Sequence, residues 1–219
     1  MRYMVHTFPD RLWYVNDYLI PSMTVQGIDR SDIIVWNDSE YKGNMAACLE
    51  SFASCEGISG GTWHLQDDIV ISPDFAERTK KLDYGVVHGF VCEYAEGFCI
   101  HDYNGVQPAI FSWYSFPCIR IPNDLAVEFV NWYYETAVHD SSYFEWIRTG
   151  KYDDSFWKEF MQEEHGNMMV LNLKPCLVEH IDWMIGGSRV NPWRGRIARA
   201  AFWEHEDLIE NLKNELARH

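Results

Sequence analysis

Basic side chains are scarce in this sequence: 18 lysines and arginines stand against 33 aspartates and glutamates, a net charge of −15 over 219 residues. A surface of that sign repels polyanions, which argues against indiscriminate binding to nucleic acid or to an anionic membrane. Long apolar runs are missing too. None approaches the ~20 residues that cross a bilayer, and the opening MRYMVHTF has no basic region followed by a hydrophobic stretch. The six cysteines (Cys48, Cys55, Cys92, Cys99, Cys118, Cys176) form no CxxC pair. With no secretory leader ahead of them, they are expected to be reduced thiols of a soluble, cytoplasmic protein. There is no GxxxxGK, GxGxxG or GxSxG, and GISGG precedes a strand pattern, not a helix. Phosphate-loop, dinucleotide and serine-hydrolase signatures are therefore absent.

What is present is apolar and aromatic. A 47% apolar and 16% aromatic composition, with ten tryptophans, points to a well-packed globular core, where most of the large aromatics are expected to lie. Tyr3 to Thr7 reads as a strand, Arg11 to about Met23 as a helix and Ile33 to Trp36 as a second strand. A helix through Met45, Cys48, Leu49 and Phe52 follows, then the strand WHLQDDIVIS. This alternation predicts an α/β fold with a mostly parallel central sheet flanked by helices. Further on, Ser72 or Asp74 is placed to cap a helix, and Tyr84 to Tyr94 reads as a strand. Asn123 or Asp124 is placed to cap a helix through Phe129, Trp132 and Tyr133, and Asp154 opens another. MMVLNL is a late strand and Glu204 to Arg218 a closing helix. No repeat, linker or low-complexity tract divides the sequence, so one domain over residues 1–219 is expected.

Asp67 and Asp68 are out of keeping with their surroundings, between Trp63 and Leu65 on one side and Ile69, Val70 and Ile71 on the other. Carboxylates at the edge of a core require an opposite charge or a metal ion. Adjacent strand residues point to opposite faces, so both can serve one site only where the strand ends. In a parallel sheet, ligands sit beyond the carboxyl ends of the strands, where Thr7, Asn37, Asp38 and the aspartate pair all fall. Two functions are open: a structural one, capping a turn or forming a salt bridge with Arg78 or Lys80 as the nearby cations, or a hard dication, Mg²⁺ or Mn²⁺, left with open positions for substrate phosphates.

The segment ACLESFASCEGISGGTWHLQDDIVISPDF resembles the nucleotide-sugar site of GT-A type glycosyltransferases, in which a helix precedes a strand ending in an acidic DxD or EDD motif. KPCLVEHIDWMIGGS is similar to the P-x-L-V-x-H…S segment that closes the site of lipopolysaccharide-type and phage-encoded members. Gln66 stands where an EDD motif has its first acid. The resemblance implies a single GT-A-like, Rossmann-like domain, with residues 1–75 binding the nucleotide sugar and 76–219 holding the acceptor and closing the site. It implies Asp68 as first metal ligand, Asp67 as second and His180 as third, for Mn²⁺ or Mg²⁺. It places Thr7, Arg11 and Asp38 against the base and ribose, with Asp67 also on the donor side. Asp182, with Glu179 as the alternative, is the expected general base, and Arg189 the expected contact to the diphosphate.

The implied reaction is metal-dependent transfer from a nucleotide sugar, a UDP-sugar being the expected donor, to a hydroxyl of a saccharide or of a modified DNA base. The aromatics from Tyr103 to Phe116 and on Trp132, Tyr133 and Tyr134 offer either an acceptor platform or core packing. Against the acidic whole, the stretch between Asp182 and Glu204 holds Arg189, Arg194, Arg196 and Arg199 and no acid. That segment suits a phosphate-bearing ligand or a solvated surface equally. The rival readings are a metal-dependent phosphoesterase, which needs more ligands than the sequence gathers near the pair, and a non-catalytic carbohydrate- or partner-binding module.

Overall fold

The computed structural model describes residues 1–90, 92–93, 105–109, 116–149, 153–173, 176–181, 185 and 197–198. Its centre is a seven-stranded sheet, ordered β2-β1-β3-β8-β5-β9-β7. These strands are β1 (Arg2–Thr7), β2 (Ile33–Asn37), β3 (Gly61–Gln66), β5 (Val86–His88), β7 (Gly105–Pro108), β8 (Cys118–Pro122) and β9 (Met169–Asn172). The β2/β1, β1/β3 and β5/β9 pairs are parallel, while β8 and β7 run against their neighbours. Outside this sheet, β4 (Ile69–Ile71) pairs with β10 (Val178–His180), and β6 (Cys92–Glu93) with β11 (Ile197–Ala198). The α/β class and the mostly parallel, helix-flanked sheet of a Rossmann-like sandwich agree with the sequence reading.

Helices cover both faces. Between β1 and β2 run α1 (Leu12–Tyr14), a π-helical stretch Val15–Leu19 and α2 (Ile20–Val25). The widened turn has a local cause: Pro21 has no N–H to return to the preceding turn, and the ladder shifts to Ile20 N–H donating to the Val15 carbonyl. Gly27, at φ 85°, then ends the helix, and the Ile28 N–H reaches back to the Met23 carbonyl. Tyr14, Val15, Leu19 and Met23 pack on Tyr3, Val5, Trp63 and Leu65, together with Phe75 of α4 (Phe75–Lys81).

On the opposite face, α3 (Asn44–Ala53), α5 (Asn123–Glu135) and α7 (Asp153–Glu163) bury Phe52, Phe129, Trp157 and Phe160 against Val86, Ile119 and Ile121. The short α6 (Phe144–Thr149) lies before α7 in the chain. Trp132 and Tyr133 are buried in this second cluster, while Tyr134 is exposed.

Three local expectations differ from the structure. The strand expected over Tyr84 to Tyr94 is split into β5, which ends at His88, and β6 at Cys92–Glu93, because two other segments crowd the backbone at Gly89. Its N–H donates to the Cys118 carbonyl, its own carbonyl accepts from the Leu177 N–H, and a Cβ there would sit 2.5 Å from Cys118 Sγ. Asp74 does not cap α4, whose Ala76 N–H is taken instead by Gln26 Oε1, and in α5 Asp124 Oδ1 accepts from the adjacent Leu125 N–H. The Asn123 side chain is instead tied to the Thr62 hydroxyl and the Ile58 carbonyl. Finally, WHLQDDIVIS is two strands and not one, with Asp67 and Asp68 forming the bend between β3 and β4. The closing helix expected over 204–218 and the Tyr103–Ser115 aromatics lie outside the described residues, apart from 105–109.

Candidate active site

The site follows from the register of two parallel strands. His6 of β1 lies beside Gln66 of β3, so Thr7 and Asp67 leave the sheet side by side at its carboxyl edge. There the Thr7 hydroxyl donates to Asp67 Oδ2 at 2.9 Å. Beyond β4, the β4/β10 ribbon brings His180 opposite Ile69, and the Ile181 N–H donates to the Asp68 carbonyl at 2.8 Å. The bend turns both carboxylates toward one point, which a straight strand forbids.

Arg11 occupies that point. It ends a 3₁₀ turn, Pro9–Arg11, that follows β1 directly. Its Nη1 donates to Asp67 Oδ1 at 2.9 Å and to Asp68 Oδ2 at 2.6 Å. His180 Nε2 stands 3.3 Å from Asp68 Oδ1. The side chains of Arg11, Asp67 and His180 are each 6% exposed and that of Asp68 11%, so the cluster is almost entirely withdrawn from water. The Phe8 ring lies 5.2 Å from the Arg11 guanidinium carbon. The Tyr14 hydroxyl donates to the Ile69 carbonyl at 2.8 Å, fixing the far side of the bend.

Protonation of the two acids diverges. Burial alone would raise Asp68, but His180 and then Arg11 outweigh it and hold the carboxyl well below the usual carboxylate range. For Asp67, burial first and the neighbouring Asp68 charge second push the carboxyl up, against the pull of Arg11 and Thr7. The two carboxyls are therefore shifted in opposite directions and titrate as a coupled pair. Burial, with the charges of Asp68 and Asp67 adding to it, also raises the Tyr14 phenol far above its ordinary range.

Thr7, Arg11, Asp67, Asp68 and His180 thus come together, and Asp38 lies beside them, its N–H donating to the Thr7 carbonyl at 2.8 Å, with its carboxylate engaged in its own loop. It is half-buried in the loop after β2, and its two carboxylate oxygens accept from the Lys42 and Gly43 N–H groups, organising the turn into α3. Glu179 is buried, and its side chain turns back to accept from the His180 N–H. Asp182 and Arg189 lie outside the described residues. The cations expected near the pair serve elsewhere: Arg78 donates to the Cys176 carbonyl and Lys80 to the Gly27 carbonyl.

Sequence reading missed two aromatic supports. Phe8 immediately follows Thr7 and contacts Arg11, and Tyr14 lies one helical turn beyond Arg11, a spacing that would have placed it at the bend. In the same loop system, Tyr41 adopts φ 54°, sets its ring 6.2 Å from that of Phe8 at a 55° tilt and donates to Asp10 at 2.6 Å.

Where a divalent ion would have to touch both carboxylates, Arg11 Nη1 already bridges them. Among the described residues no three His, Cys, Asp or Glu side chains are grouped to hold a metal. In this arrangement the donor set does not fit an ion. Among the described residues, no helix is long and apolar enough to cross a membrane.

No family model matches the chain, and no curated protein matches it. The chain is similar in structure to A197 from STIV, at 13% identity and TM-score 0.40, over 83% of this chain and 86% of that one. It is also similar to a glycosyltransferase involved in the glycosylation of the major capsid of PBCV-1, at 8% identity and TM-score 0.34, over 78% of this chain and 92% of that one. At these scores the likeness fixes no shared activity, and the chemistry has to be read from the side chains themselves.

Proposed function

We propose that the protein is a glycosyltransferase that takes a sugar from a nucleotide sugar, a UDP-sugar by the resemblance of residues 47–75, and passes it to a hydroxyl acceptor. The observation that carries this reading is the convergence of Thr7, Arg11, Asp67, Asp68 and His180 at the carboxyl edge of the parallel strands β1 and β3. That edge is where α/β sheets bind nucleotides. A departing nucleoside diphosphate gains negative charge as the glycosidic bond breaks, and a cation held rigidly beside it favours the transition state over the ground state. Arg11, fixed by two buried carboxylates, is such a cation.

Asp38 contributes by shaping the loop beside the nucleotide and not by a free carboxylate. Asp182 as general base and Arg189 on the diphosphate complete the proposal. A saccharide is favoured over a modified DNA base as acceptor, because a net charge of −15 opposes approach of a polyanion. The burial of Trp132 and Tyr133 removes those two rings from an acceptor platform.

The second reading, a non-catalytic carbohydrate- or partner-binding module, is favoured by the same internal pairing, since carboxylates bridged by an arginine of the chain itself can act as a structural pin. Turnover separates the two. Release of free UDP from one member of a UDP-sugar panel in the presence of saccharide acceptors, lost in Asp68→Asn with the protein still folded, supports transfer. Binding of a sugar without release of nucleotide supports the module.

A further inference from the structure

We propose that Arg11 is the resident cation of this site and that it excludes a divalent metal. Three of the pair's four carboxylate oxygens accept hydrogen bonds from the chain itself, Asp67 Oδ1 and Asp68 Oδ2 from Arg11 Nη1 and Asp67 Oδ2 from the Thr7 hydroxyl, while Asp68 Oδ1 lies 3.3 Å from His180 Nε2. An ion touching both acids would have to expel the guanidinium from between them. That expulsion is opposed on three sides. The Arg11 backbone is held by its N–H donating to the Phe8 carbonyl at 3.0 Å, its guanidinium lies over the Phe8 ring, and its side chain is 6% exposed, so a displaced charge has no water nearby to receive it.

The chemistry of the two cations differs in a way that matters for a donor. A hard dication keeps open positions for phosphate oxygens, whereas a guanidinium offers planar N–H donors and a single charge that no chelator removes. Occupancy by Arg11 is therefore permanent, and donor binding becomes indifferent to EDTA. That last consequence rests on the glycosyl-transfer reading; the exclusion of metal does not.

The test is Mn²⁺ binding, followed by loss of the free-ion electron paramagnetic resonance signal, on the full chain with no sugar nucleotide present. The wild type is expected to take up no more Mn²⁺ than Asp68→Asn does, which is the weak uptake of the acidic surface. Arg11→Gln, which frees the carboxylates, is expected to bind Mn²⁺ at least about tenfold more tightly, and Arg11→Gln/Asp68→Asn to lose that gain. Arg11→Lys keeps the charge and serves where Arg11→Gln does not fold: it is expected to take up no more Mn²⁺ than the wild type does. Mn²⁺ taken up by the wild type and lost in Asp68→Asn would overturn the proposal. So would an Arg11→Gln protein that folds and still ignores the ion, since the carboxylates would then not be what Arg11 guards. Failure of every UDP-sugar to bind would sink the transfer reading and leave the Mn²⁺ result standing.

Discussion

Removing the charge of Arg11 while keeping its bulk is the sharpest perturbation of the buried cluster. In Arg11→Met, Asp67 and Asp68 lose the guanidinium that bridges them, at 2.9 and 2.6 Å, in surroundings where their side chains are 6% and 11% exposed. Breaking a buried ion pair from one side costs about 3–5 kcal/mol, because the remaining charge stays desolvated. Thr7 and His180 retain part of the compensation, which places the expected loss toward the lower end, about 3 kcal/mol. In urea unfolding at neutral pH this is a midpoint fall of roughly 1–2 M with an unchanged slope. Asp68→Asn alone leaves Arg11 with Asp67, and the two substitutions share a contact, so the double variant should be less destabilised than the sum by about 1–3 kcal/mol. A loss below about 1 kcal/mol for Arg11→Met, or strict additivity with Asp68→Asn, would refute the claim that the guanidinium holds this bend together.

Two further outcomes are expected. Burial holds His6 down to about 4 and His88 to about 3, and the neighbouring His64 is also lowered by burial. A base depressed in the folded state contributes stability that is present above its ordinary value near 6.5 and is lost as the pH falls below it. Asp67, raised, works in the opposite sense. The net expectation is a fall on the order of 1–3 kcal/mol per pH unit between pH 6.5 and 4.5, checked by urea titrations across that range; a flat profile would contradict it. Gly89→Ala pushes a methyl to 2.5 Å from Cys118 Sγ and 3.0 Å from Leu177 Cδ1. It should cost about 1–3 kcal/mol by thermal or urea unfolding, and a neutral result would show that β5 and β8 can part there.

Local patterning revealed much of the fold. The strands at Tyr3 and Ile33, the helix through Phe52, the helix after Pro122 and the late strand at Met169 each carry their own periodicity, and each forms where that periodicity points. What local patterning does not carry is the break inside WHLQDDIVIS. Trp63, Leu65, Ile69 and Ile71 have the same strand preference on either side of it, and only the pairing of β4 with β10, more than a hundred residues later, pulls the chain out of the main sheet. The partner of the aspartates was hidden for the same reason. Arg78 and Lys80 are nearer in sequence, but Arg11 is nearer in space once β1 and β3 lie in parallel register. Asp38 was legible as a residue at a strand end but not as a loop organiser, because its role depends on the backbone of Lys42 and Gly43 turning toward it.

The most direct measurement is calorimetric titration of a UDP-sugar panel into the wild-type protein, once with EDTA and once with Mn²⁺. One sugar nucleotide is expected to bind in both, with the same affinity, and Arg11→Lys to weaken it. No heat from any member under either condition would contradict the glycosyl-transfer reading, and binding that appears only with Mn²⁺ would contradict the role given to Arg11.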